Sequence, residues 1–271
     1  MSRRGSPDRT TASAQVVAVL GLGEAGGRLA ADLVSAGVEV RGYDPLTISP
    51  PEGVDRAGDP GSAVSGATVV LGLTTASTAL AAAESALPGL GPGAIYADLN
   101  TAAPALKRDI AAVVARTEAR FADVALLGPV PSRGLATPAL ASGSGAQAFA
   151  EVLGPLGMPV EIVSDRPGDA ATLKLLRSVF MKGLAASALE SLRAAEAAGH
   201  ERWLEGEIAE VVGERLLERL VEGSRRHAVR RVDEMEAARE LLLELGVEPR
   251  IATASAAVLD ELATSGPTSG R

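Results

Sequence analysis

Six consecutive residues, Gly21-Leu22-Gly23-Glu24-Ala25-Gly26, have the types and spacing of a phosphate cradle. Gly21 permits a tight turn, Gly23 lets backbone approach a pyrophosphate, and Gly26 lets a helix pack closely on a strand. A helix starting there presents free N–H groups to the phosphates. Asp44, about 20 residues further on, is placed to accept the ribose hydroxyls of an adenosine. Two more polar pairs follow apolar runs, Thr74 with Thr75 and Asn100 with Thr101. In an open α/β sheet such residues stand outside the carboxyl ends of strands, where they bond cofactor or substrate. Thr101 suits equally well the cap of a helix over 103–116. Lys174, Ser178 and Lys182 recur at helical spacing and lie close to one face. Leu173, Leu175, Leu176, Val179 and Phe180 around them argue for partial burial, which lowers a lysine pKa and suits it to proton transfer. Lys174 is the candidate general acid/base, Ser178 the candidate to orient a substrate, and Lys182 or His227 the candidate to hold its anionic group. The only other histidine, His200, follows Gly199 at a helix end and reads as a cap. Two isolated histidines without a carboxylate pattern give no metal site.

These residues need strands and helices in alternation to hold them. The apolar run Val16–Leu20 enters the glycines, a helical pattern covers Gly27–Ala36, and Glu39–Tyr43 reads as a second strand closing on Asp44. Pro45 and Pro50-Pro51 mark a loop, a short helix fits 60–65, and a buried strand fits 68–73. Helix 78–87, strand 94–97 ending at Asp98, helix 103–116 and strand 121–125 continue the pattern. A loop rich in glycine and proline, 128–138, precedes a last strand–helix–strand ending near Val163. The alternation predicts a mostly parallel, doubly wound sheet of Rossmann type. From Asp169 the period changes. Residues 170–198 contain no proline and predict one helix of roughly 43 Å at ~1.5 Å per residue. Beyond it 204–223, 225–245 and 251–263 all read as helices, with Gly246 as a C-cap. The expected organisation is a tail over 1–14, a dinucleotide-binding domain over 15–165, an all-α C-terminal domain over 166–263 entered by the long helix, and a tail over 264–271.

Composition narrows the function classes. The chain has 271 residues, 46% of them hydrophobic, and a formal net charge of −8. No basic stripe with interleaved aromatics is present, which argues against nucleic acid as a partner. The absence of cysteine excludes disulfides, thiolate catalysis and cysteine–zinc sites and is compatible with a reducing cytoplasm. No apolar run is long enough for a membrane span. Arg3-Arg4 is not followed by an apolar segment before Val16, so the start reads as a polar tail rather than an export signal.

The whole pattern resembles the β-hydroxyacid dehydrogenase superfamily, which includes 3-hydroxyisobutyrate and 6-phosphogluconate dehydrogenases, over roughly residues 14–263. Gly21-Leu22-Gly23-x-x-Gly26 with Ala30 and Leu33 is similar to the family's first motif, with Ala25 where a methionine is usual. Asp98-Leu99-Asn100-Thr101-Ala102-Ala103-Pro104 is similar to the Asp-x-Ser-Thr-x-x-Pro segment beside the nicotinamide. Phe121-Ala122-Asp123-Val124 resembles the strand entering the substrate loop, and Gly168 has the spacing that introduces the catalytic lysine, here Lys174. Beyond Ala25, the chain departs from the family in the substrate loop, which reads Leu127-Gly128-Pro129 in place of Ser-Gly-Gly, and at Ser178, which replaces an asparagine. The segments around Lys174–Gly183 and His227–Met235 resemble a divergent branch of phosphogluconate-dehydrogenase-like, NAD-binding proteins.

The resemblance implies an NAD(P)-dependent oxidoreductase that moves hydride between nicotinamide and a small hydroxy acid or keto acid, with Lys174 as acid/base. The altered loop keeps open imine reduction or a specialised biosynthetic reduction, and a non-catalytic dinucleotide sensor is a third reading. Asp44, with no cation in Pro45-Leu46-Thr47, predicts NAD over NADP; Arg41 and Arg56 are the nearby cations. The apolar stripes Leu216, Leu217, Leu220, Val221 and Leu241, Leu242, Leu245 predict a homodimer through the C-terminal helices.

Overall fold

The computed structural model describes residues 15–46 and 49–265. The expected N-terminal tail, Thr47 and positions 266–271 lie outside the described residues. Two compact units form. One comprises residues through Asn100 together with Lys107–Pro167, the other Thr101–Leu106 together with everything from Gly168.

The first unit is a Rossmann-like sheet. Its elements are β1 (Val16–Leu20), α1 (Glu24–Ser35), β2 (Glu39–Tyr43), β3 (Val54–Arg56), α2 (Pro60–Val64), β4 (Val69–Gly72), α3 (Ala76–Ala86), β5 (Ile95–Asp98), α4 (Pro104–Val114, shared between the units), β6 (Arg120–Leu126), α5 (Val130–Arg133), β7 (Ala139–Ser142), α6 (Ala146–Leu153) and β8 (Val160–Ser164). The strand order is β3-β2-β1-β4-β5-β6-β7-β8. All pairings are parallel except β6 with β7. The central strands bury every side chain, as β4 and β5 show, which is why their sequences are continuous apolar runs rather than alternating ones. Val17, Val19, Val69, Leu71 and Phe149 lie in the core.

Order reverses between β1 and β4, so the switch point of the sheet opens above the glycine turn. Register sets Asp98 directly opposite Asp123 on β5 and β6. Two features were not expected. The short strand β3 extends the sheet beyond β2, and the 128–138 loop folds into α5 followed by a 3-10 turn at Gly134–Ala136. Asp32 of α1 holds that turn by accepting from the Leu135 amide at 3.0 Å, and Arg28 donates to the Pro131 carbonyl at 2.8 Å.

The second unit is helical throughout. Helix α7 (Asp169–Ala197) is 29 residues long, followed by α8 (Glu201–Val212), α9 (Glu214–Arg226), α10 (Ala228–Glu244) and α11 (Arg250–Ser265). The single helix expected over 204–223 is two. Gly213 adopts φ +83° and breaks it, a conformation that side-chain-bearing residues avoid. Helix α10 ends in a Schellman turn, with Gly246 at φ +72° and the Val247 amide on the Leu242 carbonyl. Leu175 of α7 packs with Met235, Ala238 and Leu241 of α10 and Leu259 of α11. That packing corrects the premise of the dimer expectation: Leu217, Leu220, Leu241 and Leu242 are buried within the protomer, while Leu245 stays exposed. Among the described residues, no helix is long and apolar enough to cross a membrane.

Candidate functional site

The glycine segment forms a tight turn and a closely packed helix start. Gly21 has φ +98°, and a Cβ there would sit 2.4 Å from the Leu73 carbonyl oxygen. A Cβ on Gly26 would lie 1.8 Å from the Gly21 carbonyl oxygen, so the start of α1 approaches β1 only because this residue is glycine. Gly23 is different, since a Cβ there meets nothing within 4 Å. It is the N-cap of α1 and supplies no side-chain cap, so the first-turn amides are left for an anion. Glu24 and Ala25 make up that first turn, and Leu22 buries its side chain in the core. Asp44, just past β2, is nearly buried. Its Oδ2 accepts from the Leu22 amide at 2.8 Å and its Oδ1 from the Leu46 amide at 2.9 Å. Each oxygen keeps a further lone pair for a ribose hydroxyl. The cradle, open cap and adjacent carboxylate fit a dinucleotide.

Past the carboxyl ends of β4 and β5 stand Thr74, Thr75 and Asn100. Thr75 caps α3, its amide donating to Thr78 Oγ1 at 3.2 Å. Asn100 is buried, and its Nδ2 donates to Asp98 Oδ1 at 2.5 Å and to Thr74 Oγ1 at 3.4 Å. Beneath them lies a charged cluster that the sequence reading missed. Lys107 is fully buried, with Nζ 2.6 Å from Asp98 Oδ2 and 3.3 Å from Asp123 Oδ1. It also donates to the Asp98 carbonyl at 2.9 Å, while Ser142 donates to Asp123 at 3.1 Å. Burial pulls the Lys107 pKa down, but the two carboxylates outweigh it and hold the value above the usual one. A signal was present: Lys107 occupies the same helical face as Ile110 and Val114, where an unpaired lysine would be expelled.

The helical unit carries the lysines. Lys174, partly buried on α7, donates to Thr101 Oγ1 at 2.6 Å. Thr101 is therefore engaged by a lysine, and α4 begins only at Pro104, which moves the cap position to residue 103. One and two turns beyond Lys174 the structure departs from the simple reading. Ser178 is 1% exposed and donates to Glu234 Oε1 of α10. Lys182 pairs with Glu234 Oε2 at 2.9 Å and donates to Ser178 at 3.3 Å. Burial would raise the Glu234 pKa, yet Lys182, Lys174 and the Ser178 hydroxyl bring it down to about 2. Burial of Lys182 outweighs its attraction to Glu234 and lowers its pKa. The hydroxyl and ammonium read as substrate ligands are thus bonded within the protein, and Glu234, which lies in the His227–Met235 segment and drew no role there, is their common partner. Arg231 of α10 lies close to the same group and donates to Ser224 of α9. His227 sits half-buried at the junction of α9 and α10, and His200 is the N-cap of α8, without a side-chain cap bond. Among the described residues, no group of three or more His, Asp and Glu side chains could hold a metal ion.

Comparison with known proteins adds three kinds of likeness. An uncharacterized 28.5 kDa protein from Methanothermus fervidus is 30% identical over 158 residues, which are 57% of this chain and 61% of that protein. The chain therefore matches less than two thirds of that relative's length. The conserved protein MTH1747, of unknown function and with structural similarity to 3-hydroxyacid dehydrogenases, is 30% identical with a TM-score of 0.73, over 92% of this chain and 97% of that one. The 3-hydroxyisobutyrate dehydrogenase of Mycobacterium tuberculosis is 18% identical with a TM-score of 0.76, covering 92% and 94%, and shares the fold. Residues 195–262 match a domain of unknown function. Residues 16–157, which include the whole cradle, match the NAD binding domain of 6-phosphogluconate dehydrogenase, and over more than half of its length the chain belongs to that family.

Proposed function

We propose that the protein is an NAD-dependent oxidoreductase acting on a small carboxylate-bearing alcohol or the matching carbonyl compound. The observation that carries this reading is the bond from Lys174 Nζ to Thr101 Oγ1: it holds a lysine on the residue that directly follows Asn100, in a family whose N-terminal part binds dinucleotide. A bound nicotinamide supplies the hydride acceptor or donor. In the oxidising direction Lys174, as the neutral amine, takes the hydroxyl proton while the substrate carbon loses hydride. In the reducing direction its ammonium returns that proton to the carbonyl oxygen. Asp44 supports NAD over NADP, because a carboxylate beside the ribose repels a 2′-phosphate. His227 is the remaining candidate for the anionic end of the substrate, since Lys182 is already paired with Glu234.

A panel of keto acids with NADH and NADPH tests this reading, oxidation of NADH being the expected result. Cyclic imines in the same panel test the second reading, which Leu127-Gly128-Pro129 motivates; turnover of imines alone would replace the first. Tight binding of the dinucleotide with turnover of neither class would favour a sensor. The proposal extends to a homodimer through the helical unit, now resting on exposed apolar residues such as Phe180 and Trp203. A light-scattering mass near 27 kDa at micromolar concentration would remove that part of it.

A further inference from the structure

We propose that Arg133 binds the carboxylate of the substrate, and that Arg28 and Asp32 of α1 are positioning residues that hold the turn presenting it. This deepens the oxidoreductase reading above and rests on it, moving the anion-holding role from His227 to the sheet unit.

Register places the turn. Asp98 ends β5, but its partner Asp123 lies three residues before the end of β6. At about 3.3 Å per residue, β6 therefore overhangs β5 by about 10 Å. Strand β7 pairs with the overhang, Ala139 opposite Leu126, so the two strands and their connection stand beside Asn100 at the open edge of the sheet. The connection then bends toward α1, where Arg28 donates to the Pro131 carbonyl and the Leu135 amide donates to Asp32. Helix α1 follows β1, and β4 and β5 separate β1 from β6. The connection thus folds back toward the glycine turn rather than away toward β8. It borders the end of the sheet where ligands of open α/β folds bind.

Local contacts fix α5 in that place. The Ser132 hydroxyl donates to the Pro129 carbonyl at 3.2 Å. Gly134 has φ +53°, and a Cβ there would lie 1.7 Å from Asp32 Oδ2, so only glycine admits this approach to α1. Both Asp32 oxygens are then committed, Oδ1 to Arg28 Nε at 2.9 Å and Oδ2 to the Leu135 amide at 3.0 Å. Arg133, the last residue of α5, is exposed, and its side chain folds back over Gly128. Its Cδ and Nη1 lie 3.5 and 3.6 Å from where a Gly128 Cβ would stand. Among the described residues, the Arg133 guanidinium has no hydrogen-bond or ion-pair partner. Main-chain donors are scarce beside it: Pro129 and Pro131 have no N–H, and the Leu127 amide donates to the Pro138 carbonyl at 2.8 Å. The guanidinium offers five N–H groups in a planar fork that matches a carboxylate. In a chain of net charge −8, a local cation of this kind is what draws an anion to the spot.

Steady-state kinetics with NADH and the keto-acid panel test this in the parent, Arg133→Ala, Arg133→Lys and His227→Gln. Arg133→Ala should raise KM for the keto acid about 10–100-fold, with kcat near the parent value and NADH affinity unchanged. Added guanidinium ion should restore part of the loss in Arg133→Ala. Arg133→Lys keeps the charge without the fork and should fall between. Asp32→Ala should repeat the KM rise at smaller amplitude, because the turn then loses its hold on α1. A parent-like KM in Arg133→Ala overturns the assignment, as does a KM loss found in His227→Gln in its place, or NADH affinity that falls as far as KM rises. A parent that turns over no keto acid defeats the oxidoreductase reading, and calorimetric titration of malonate into the NADH complex then decides Arg133 separately. Weaker malonate binding by Arg133→Ala supports the anion site; equal binding by the two proteins, or none by the parent, overturns it.

Discussion

The backbone amide of Leu22 donates to the carboxylate of Asp44 across 22 residues of sequence, at 2.8 Å. The residue between the first two cradle glycines and the acid beyond β2 are therefore one hydrogen-bonded unit. Asp44 shapes the glycine turn as well as being the proposed ribose partner, and Gly21 completes the seam by donating to the Tyr43 carbonyl at 2.8 Å.

Asp44→Ala should cost more than a ribose contact, because it also releases the Leu22 and Leu46 amides. We expect NADH affinity to fall by about tenfold or more, equivalent to ~1.4 kcal/mol. Preference over NADPH should narrow at the same time, since the charge that repels a 2′-phosphate is gone. Fluorescence titration with both reduced cofactors checks this; an unchanged ratio of the two affinities would refute it.

Gly23 and Gly26 should respond oppositely to alanine. The Gly26 Cβ would overlap the Gly21 carbonyl at 1.8 Å, and backbone on both sides leaves little room to relax. Gly26→Ala should lower stability by about 1–3 kcal/mol, read from denaturant midpoints. Gly23→Ala should unfold like the parent, its Cβ meeting nothing within 4 Å, yet bind dinucleotide at least tenfold more weakly because that space is for the pyrophosphate.

Lys174→Ala should lower kcat by roughly 10²–10⁴ on whichever substrate the panel identifies. Cofactor affinity should stay near the parent value, because the cradle and Asp44 are untouched. Near-native kcat in this variant would discard the lysine mechanism.

Glu234 predicts an acid-sensitive helical unit. Its folded pKa, about 2, lies below the ordinary glutamate value of 4.5. The stabilisation is present above pH 4.5 and is lost as pH falls toward 2. The shift corresponds to at most about 3 kcal/mol, and the burial cost of Lys182 offsets part of it. Glu234→Gln should flatten the stability profile across that window. It should also destabilise at neutral pH, by up to ~3–5 kcal/mol, because Lys182 is then left buried without its counter-charge. Pairing the change with Lys182→Met should recover much of that loss in urea denaturation.

What the chain reveals before folding follows from the range over which each signal acts. The cradle was legible because a turn, a helix start and a close approach are local demands, met by Gly21, Gly23 and Gly26 themselves. The long helix was legible from an unbroken run without proline. Gly213 was harder, because an isolated glycine in a helical pattern costs only about 1 kcal/mol relative to alanine and its positive φ is not written in its neighbours. The least legible parts were the long-range pairs. Ser178 and Lys182 looked available for substrate until Glu234 arrived from a helix 56 residues away from Ser178. Lys107 found its carboxylates only through the β5–β6 register.

The helical unit is not one stretch of chain, since it takes in Thr101–Leu106 as well as the residues from Gly168. A gene fragment starting at Gly168 would encode all of α7 to α11 and still leave Lys174 without the threonine it bonds. Exchanging helical parts between relatives, whether by recombination or by design, therefore has to carry six residues from the midst of the other unit's sequence. A chimera spliced between Pro167 and Gly168 would inherit the lysine and lose the threonine it bonds.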